Sequence, residues 1–354
     1  PVLIRPSYVL GGRAMQIAYN SDNLKSFSIE AMEVSANNII LIDEYLENAK
    51  EIDVDLIRDK EGNIFIAGIM EHIEEAGVHS GDSACSIPPY SVNKDKQYQI
   101  VDWVSRIANE INVIGLMNTQ LAIKNDKIFV LEVNPRASRT VPFVAKSRGI
   151  PIAKIAAKIM VGDLLTEVIK KYKIKELEHF CVKESVFPFN KLDGVDLILG
   201  PEMKSTGEVM GIDKNFLSSF AKSQIAAGNL LPSKGNVFVS IDDTNKDKFI
   251  SIARKLQNLN FNLIATNGTA DYLNKNNITA SKINKVKEGS PHIVDSLMGG
   301  NIDLVINTTK SQSSIKDSYS IRRTSLMYNI PYYTTIAGAE VAIDAIEHMQ
   351  NNDF

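Results

Sequence analysis

Three oxygen-bearing side chains lie in two apolar segments that flank a short polar turn. Gln120 lies before the turn Asn125-Asp126-Lys127, and Glu132 and Asn134 lie after it. Asn and Asp between apolar segments are typical of a tight hairpin. Glu132 and Asn134 are two residues apart, so the period-2 geometry of a strand places both on one face. A carboxylate with amide oxygens, without imidazole or thiolate, is a ligand set that suits Mg²⁺ or Mn²⁺.

The length of the turn decides whether Gln120 lies on that same face. A three-residue loop, Asn125–Lys127, pairs Lys124 with Ile128. Counting back from that pair puts Gln120 opposite Glu132. A two-residue loop turns Gln120 away, because a slip of one residue moves every side chain to the other face. The competing interpretation is a hairpin whose polar groups simply face the solvent.

Two further sequence features could bind phosphate groups beside this hairpin. Arg136 follows Asn134 by two residues, where a guanidinium would lie near the charge that develops on a transferring phosphoryl group. Gly11-Gly12 is predicted to form a turn between Arg5 and Arg13. Such a turn suits backbone N–H groups and guanidinium groups that approach phosphates, although an ordinary glycine-rich loop has the same composition.

Composition and spacing exclude several other functional classes. The 39 Lys+Arg and 42 Asp+Glu residues leave a net charge of −3, so nothing indicates a nucleic-acid or acidic-membrane partner. Cys85 and Cys181 are too few and too distant for a disulfide framework, and His72 and His79 lack the spacing of a zinc site. No segment approaches the ~18 apolar residues of a membrane span, and no secretory signal opens the chain. We therefore expect a cytoplasmic protein that crosses no membrane and binds no nucleic acid.

The 354-residue chain divides into two parts with different patterns. The first mixes helical patterns with paired strands, including a hairpin made by Ile52–Ile57 and Ile64–Gly68. Glycines and prolines between residues 187 and 235 indicate loops and short elements. From Asn236, strands and helices alternate, which favours a parallel sheet covered by helices. We predict domains at 1–182 and 236–354, joined by a connecting segment at 183–235.

Periodicity also predicts individual elements. In the first part, helical spacing of apolar residues predicts helices over Leu24–Asn37 and Ile100–Ile111. In the last part, the predicted strands and helices are Val237–Ile241, Lys246–Leu259, Asn262–Thr266, Leu304–Asn307 and Ala337–Met349.

Small polar side chains fall near the ends of strands in the last part: Ser240, Thr266, Asn307 and Thr334. In an open parallel sheet, ligands bind beyond the carboxyl ends of the strands. The turn Thr266–Thr269 offers free N–H groups at a helix start, which favour an anion, and Lys246 and Lys285 add positive charge. Ordinary capping and turn chemistry is the competing interpretation.

Several long motifs resemble the large chain of carbamoyl-phosphate synthase. They are Arg5–Met15, Met70–Ile73, Gly77–Ala84, Glu132–Arg136, Thr140–Val144, Phe189–Lys191 and Leu199–Gly211. The resemblance covers essentially the whole chain and implies an α/β and α+β fold: a partial ATP-grasp domain, followed by a regulatory domain similar to methylglyoxal synthase. It implies an ATP-dependent ligase that phosphorylates carbamate, giving carbamoyl phosphate and ADP for pyrimidine and arginine biosynthesis.

The resemblance also implies roles for individual residues. The implied ATP contacts are Arg5, Leu46, Glu51, Gly77, Val78, His79, Ser80, Gln120 and Glu132. Divalent ions would be held by Gln120, Glu132 and Asn134, and Arg136 would assist phosphoryl transfer. The residues implied for a UMP or IMP effector are Ser240, Lys246, Thr266, Thr269, Lys285, Asn307 and Thr309. Those implied for ornithine are Glu74, Asp82, Glu184 and Thr334.

Further ions, partners and alternatives follow from the same resemblance. It implies K⁺ as a further ion, a glutamine amidotransferase small subunit and an oligomeric parent enzyme. Because the chain opens on Pro1 within a strand-like segment, we expect a fragment that is inactive alone. The alternatives are another ATP-grasp ligase, such as a biotin carboxylase, and a non-catalytic nucleotide-binding regulatory module. Methylglyoxal synthase activity is not expected, because Gly299–Asp303 lacks the Gly-Gly-Asp-Gln-Gln stretch of that enzyme.

Overall fold

The computed structural model describes residues 1–7, 14–35, 39–188, 197–200, 203–309 and 312–352. The predicted Gly11-Gly12 turn and the motif Phe189–Lys191 lie outside the described residues. The helix predicted to end at Asn37 ends at Val34, because Ser35 is extended with a ψ of 128°. The chain separates into two units: Pro1–Ser83, Pro89–Lys175 and Leu199–Ser205 form the first, and Ala84–Pro88, Glu176–Ile198 and Thr206–Phe354 form the second. The domain limits at 182/183 and 235/236 stay a prediction.

The secondary structure follows the chain in this order. The elements are β1 (Val2–Pro6), β2 (Gln16–Ala18), α1 (Ser21–Val34), β3 (Ile40–Glu44), β4 (Lys50–Arg58), β5 (Ile64–Glu75), β6 (Cys85–Ile87), α2 (Lys94–Glu110), β7 (Gly115–Lys124), β8 (Lys127–Asn134), α3 (Val141–Arg148), α4 (Ile152–Met160), α5 (Leu165–Ile169), β9 (Phe180–Val186), β10 (Gly207–Asp213), α6 (Phe216–Ala227), β11 (Gly235–Ser240), α7 (Lys246–Asn258), β12 (Phe261–Thr266), α8 (Asn267–Lys275), β13 (Ala280–Ile283), a 3-10 helix (Val286–Glu288), α9 (Ile293–Met298), β14 (Leu304–Asn307), α10 (Gln312–Asp317), α11 (Tyr319–Met327), β15 (Tyr332–Tyr333) and α12 (Ile336–Asn351).

In the first unit, a small antiparallel sheet with the order β2-β1-β3 contacts α1. The predicted helix from Leu24 is confirmed, but it begins earlier, at Ser21. Asn20 sets this start, because its side-chain oxygen accepts the N–H groups of Asp22 and Asn23 at 3.1 and 2.8 Å. The helix buries Ala31 against this sheet.

The larger sheet of the first unit contains the antiparallel neighbours β5-β4-β7-β8, which confirms the predicted hairpin as β4 and β5. Apolar residues alternate along β4, and their face packs against α2. The buried members of this core include Ile52, Val54, Leu56, Met117 and Leu121 from the strands and Ile100, Val104 and Ala108 from the helix. Because successive side chains of a strand point to opposite faces, the acidic residues between them all lie on the other face.

In the second unit, every pair in the sheet β13-β12-β11-β14-β15 is parallel, which confirms the predicted parallel sheet. The five elements predicted in this part, now β11, α7, β12, β14 and α12, begin and end within two residues of their predicted limits. No helix in the described part of the chain is both long and apolar enough for a membrane span.

The region predicted as loops and short elements contains a full helix, α6, which contacts β9 and β10 of the antiparallel order β10-β9-β6. Asn215 caps its start, and Gly228 ends it with a φ of 88°. Gly211 of β10 permits the close approach of α6, since a Cβ there would lie 2.0 Å from the carbonyl oxygen of Ser219. Of the glycines in this region, Gly211 therefore allows α6 to pack closely and Gly228 ends it.

The interface of α2 with the sheet supplies a stability prediction. Ile100 is completely buried in it, whereas Tyr98 of the same helix is 70% exposed. We expect Ile100→Ala to lower the free energy of unfolding by roughly 3 kcal/mol, because the substitution removes buried methyl groups and leaves a cavity. Tyr98→Ala is the matched control and should change stability by less than about 1 kcal/mol. Urea unfolding of the two variants checks this, and equal losses would contradict the packing described.

Candidate functional site

The hairpin of β7 and β8 closes through a two-residue turn. Lys124 pairs with Lys127, and the turn residues Asn125 and Asp126 have φ values of 49° and 62°. Two adjacent residues in the left-handed region match a type I′ hairpin turn, which suits the twist of the flanking strands. Of the two loop lengths left open by the sequence, the structure therefore has the two-residue one.

A bulge in β8 restores the pairing that the shorter turn would have destroyed. Leu121 pairs with Val130, but the next residue, Gln120, pairs with Glu132, which leaves Leu131 as the extra residue. Directly opposite residues of an antiparallel pair share a face, so Gln120 and Glu132 lie side by side. The expectation that a two-residue loop turns Gln120 away is wrong because it assumed an uninterrupted ladder.

Further polar residues extend this face onto β4. Asp53 pairs with Gln120, and Asp55 pairs with Asn118, which itself lies opposite Asn134. The side-chain amide of Asn118 donates to Asp53 Oδ1 and Asp55 Oδ1, both at 3.0 Å. Both carboxyl groups are buried, with at most 1% of either residue exposed. Sequence reasoning missed these three residues, although the alternation of acids with apolar residues in β4 was the available signal.

A buried histidine and a third acid complete the face. His72 Nε2 lies 2.8 Å from Asp53 Oδ2. Glu51 Oε2 accepts the N–H of Gly77 at 3.3 Å. Glu51, Asp53 and His72 each offer a ligand atom, and these atoms lie within 4.8 Å of one another. The face thus holds a second set of potential metal ligands beside the predicted Gln120, Glu132 and Asn134.

Burial and crowding raise the pKa of two of these carboxyl groups. The pKa of Glu51 rises to about 7, mainly through burial, and Asp53 and Glu132 raise it further, while His72 and the Gly77 N–H oppose the shift. Burial likewise raises the pKa of Asp55 to about 6, although its hydrogen bonds partly compensate. Since the charge of Glu132 acts on Glu51, a bound cation would relieve repulsion across the face.

Among the predicted ATP contacts, Leu46, Glu51 and Gly77 come together. Leu46 packs against a small apolar cluster of Ala49, Ala76, Ala122 and Phe129, and Glu51 pairs with Ala122 across β4 and β7. The cluster therefore adjoins the hydrogen bond between Glu51 and Gly77.

Four further predicted ATP contacts lie in two other places, apart from Gln120 and Glu132 on the hairpin. Val78, His79 and Ser80 follow Gly77, and the N–H of His79 donates to the Gly200 carbonyl at 2.8 Å. Arg5 lies on β1, where its guanidinium forms an ion pair with Asp43 of β3 at 2.6 Å.

Arg136 lies just beyond the end of β8 and is exposed. Its guanidinium donates to Asn134 Oδ1 at 3.2 Å and to the Ala137 carbonyl at 3.1 Å. The predicted phosphoryl-transfer residue is therefore in contact with a predicted metal ligand. Downstream, Ser138 and Thr140 donate to Asp55 of β4 at 2.8 and 2.7 Å.

In the second unit, predicted effector residues meet at the carboxyl ends of the parallel strands. Thr266 Oγ1 lies within hydrogen-bond distance of Ser240 Oγ at 3.3 Å and of Thr269 Oγ1 at 3.4 Å. Ser240 pairs with Asn307, whose side-chain nitrogen is buried without a hydrogen-bond partner among the described residues. A buried unpaired donor is costly, so it indicates a position where a ligand acceptor fits.

Charged residues border this end of the sheet. Lys246 Nζ lies 2.6 Å from Asp243 and 3.7 Å from where a Cβ on Gly268 would be, close to the start of α8. Lys285 precedes the 3-10 helix, and Asn267 of α8 donates to Glu288 of that helix at 3.3 Å. Thr309 lies two residues beyond β14.

The predicted ornithine residues belong to different units. In the first unit, Asp82 accepts the N–H groups of Lys204 and Ser205 at 2.8 and 2.9 Å, and Glu74 accepts the Ser83 hydroxyl at 2.6 Å. In the second unit, Glu184 accepts from the Gln224 amide, and Thr334 follows β15. A joint site for these residues stays a prediction.

Comparison with known proteins finds two family models that match different parts of the chain. Residues 1–168 match the family model "Carbamoyl-phosphate synthase L chain, ATP binding domain", and residues 248–334 match "MGS-like domain". A biotin carboxylase complex from Campylobacter jejuni is similar in fold, with a TM-score of 0.51 at 15% identity over 64% of this chain and 56% of that chain. This likeness of fold supports an ATP-grasp-type region in the chain.

Curated relatives match almost the whole chain. The carbamoyl phosphate synthase large chain of Archaeoglobus fulgidus is 52% identical over 352 residues, covering 99% of this chain and 32% of that protein. The large chain of Methanoculleus marisnigri is 50% identical over 354 residues, covering 100% of this chain and 33% of that protein. The chain therefore spans about a third of the length of these relatives. By both family models and these identities, the chain is similar over almost its whole length to part of the carbamoyl-phosphate synthase large chain, with an ATP-grasp-type region followed by a methylglyoxal-synthase-like domain.

Proposed function

We propose that this chain carries the ATP-dependent step that phosphorylates carbamate to carbamoyl phosphate, together with a domain that binds a nucleotide effector. The observation that carries the proposal is the pairing of Gln120 with Glu132 across β7 and β8. This register puts hard oxygen ligands on one face, and Arg136 contacts the third predicted ligand, Asn134. Those residue types fit Mg²⁺ or Mn²⁺, which bind carboxylate and amide oxygens and leave positions for phosphate.

The reaction needs charge stabilisation more than covalent help from the protein. A carbamate oxygen attacks the γ-phosphorus, the bond from phosphorus to the β,γ-bridging oxygen breaks, and ADP leaves with that electron pair. Gln120, Glu132 and Asn134 would hold divalent ions, which neutralise phosphate charge when bound. The Arg136 guanidinium would stabilise the charge on the transferring group from the protein side.

The nucleotide base and sugar are assigned to the other end of this face. The apolar cluster around Leu46 offers a surface for a flat base, and the buried Glu51 carboxylate offers an acceptor for sugar hydroxyls. Gly77, with a φ of 110°, begins the segment through Ser80 that we assign to the remaining ATP contacts together with Arg5. K⁺ beside this nucleotide site belongs to the same proposal.

The second unit supports effector binding. The hydroxyl groups of Ser240, Thr266 and Thr269, the unpaired Asn307 amide and the nearby Lys246 suit the phosphate and base of UMP or IMP. We assign Lys285 and Thr309 to the same site. From the family resemblance of its sequence motifs, we propose ornithine as a second effector, a glutamine amidotransferase subunit as partner, an oligomeric assembly, a cytoplasmic location and a role in pyrimidine and arginine biosynthesis.

We expect Glu132→Gln to weaken binding of a non-hydrolysable ATP analogue with Mg²⁺ by about 100-fold or more, because it removes the charged metal ligand. The exposed Glu110→Gln is the matched control and should bind like the unchanged chain. Calorimetric titration of the chain measures this, with UMP as a second ligand that neither substitution affects. In the intact synthase, Glu132→Gln should abolish carbamoyl phosphate synthesis.

Two outcomes would overturn the proposal. Unchanged metal dependence in Glu132→Gln would remove the metal assignment. Binding of UMP by the unchanged chain, without any binding of the ATP analogue, would identify a regulatory nucleotide-binding module instead.

The proposed role of Glu51 also predicts a pH dependence of stability. Because burial raises its folded pKa from 4.5 to about 7, the stability it contributes is complete below pH 4.5 and is lost as pH rises through about 7. That loss amounts to roughly 3 kcal/mol. We expect Glu51→Gln to remove this fall while weakening nucleotide binding, since it keeps the shape but removes the charge. Urea unfolding between about pH 4.5 and 8 checks this. The prediction is refuted if the free energy of unfolding of Glu51→Gln falls with pH as steeply as that of the unchanged chain.

A further inference from the structure

Asp55 receives hydrogen bonds from two separate parts of the first unit. Its Oδ1 accepts from Ser138 Oγ at 2.8 Å and from Asn118 Nδ2 at 3.0 Å, and its Oδ2 accepts from Thr140 Oγ1 at 2.7 Å. The residue is completely buried. A carboxylate has acceptor sites on both oxygens, so it satisfies all three donors at once.

These donors lie on either side of the segment that carries Arg136. Asn118 lies opposite Asn134, where the segment begins, and Ser138 and Thr140 lie where it ends, before α3. Ser138 Oγ and Thr140 Oγ1 are also 2.6 Å apart, so they form one group around the carboxylate. Asp55 therefore connects both ends of the segment to β4.

The start of α3 is also connected to Asp55. Thr140 occupies the N-cap position of α3, but its side chain makes no capping hydrogen bond. A threonine at this position commonly stabilises a helix by accepting an N–H of the first turn. Here Thr140 has helical backbone angles (φ −79°, ψ −17°), and its hydroxyl donates to Asp55, so this position connects the start of α3 to the sheet.

We propose that Asp55 is a positioning residue that fixes the segment from Asn134 to Thr140 and thereby the guanidinium of Arg136. The functional part of this inference rests on the proposed role of Arg136 in phosphoryl transfer. Arg136 itself is exposed and has only Asn134 and Ala137 as hydrogen-bond acceptors among the contacts described. The position of its guanidinium therefore depends on the backbone from Asn134 to Thr140, and side chains of this segment hydrogen-bond to Asp55.

The inference predicts a separation of kcat from KM in the intact synthase. In Asp55→Asn, one acceptor oxygen becomes an amide donor that cannot serve every donor around it. We expect kcat for carbamoyl phosphate formation to fall at least about tenfold, because small misplacement of a group that acts on the transition state is costly. KM for ATP should change less than about twofold, because the proposed base and sugar contacts, Leu46, Glu51 and Gly77, lie elsewhere on the face.

A second measurement reports on the segment itself. Hydrogen exchange of the amides from 134 to 140 in the chain should accelerate at least about tenfold in Asp55→Asn and in Thr140→Val, and remain slow in Thr140→Ser, which keeps the hydroxyl. Asp59→Asn is the matched control: this buried carboxylate follows β4 and accepts the N–H groups of Glu61, Asn63 and Leu165. It should loosen its own turn without changing exchange from 134 to 140.

The outcomes separate this inference from the proposed function. Unchanged exchange and unchanged kcat in Asp55→Asn, with activity lost in Arg136→Ala, would overturn the positioning role and leave the function standing. Faster exchange with full activity in Arg136→Ala would support the positioning role and overturn the proposed role of Arg136. Equal loss of kcat in Asp59→Asn would show general destabilisation and would also overturn the inference.

Discussion

The register between β4, β7 and β8 determines whether the polar residues of this sheet share one face. In β4, the apolar residues pack on α2 while the acids between them face the other way, and β7 and β8 must match that alternation. A slip of one residue in any of the strands would place carboxylates in the core and apolar side chains on the polar face. The hydrophobic core and the candidate site are thus two results of one register.

This arrangement concentrates charge where burial opposes it. Glu51, Asp53 and Asp55 occupy alternate positions of one strand, and each is almost entirely buried. The raised pKa values of Glu51 and Asp55 show that the fold does not fully compensate these groups. His72 and the Asn118 amide relieve part of the repulsion, and cation binding near Glu132 would relieve more.

Sequence patterns predicted the elements best where structure is regular and locally encoded. The alternating strands and helices after Asn236 were recovered because each has its own periodicity and caps. The helix α6 was missed because glycines are common in loops. Here Gly211 allows a strand to pack closely against the helix, and Gly228 ends the helix. Asp55 was missed because its partners, Ser138 and Thr140, are more than 80 positions away in the chain. The metal, nucleotide and effector residues remain predictions, since side-chain identity alone does not reveal what binds them.

The bulge at Leu131 shows that the pairing of Gln120 with Glu132 does not require one particular turn length. A three-residue loop with a regular ladder and a two-residue loop with one bulged residue bring Gln120 opposite the same glutamate. Both solutions keep the same number of positions between the two side chains. The site therefore constrains the number of residues between Gln120 and Glu132. A residue inserted in the turn would keep the pairing if the bulged residue were deleted from β8. The turn type itself is not constrained by the site.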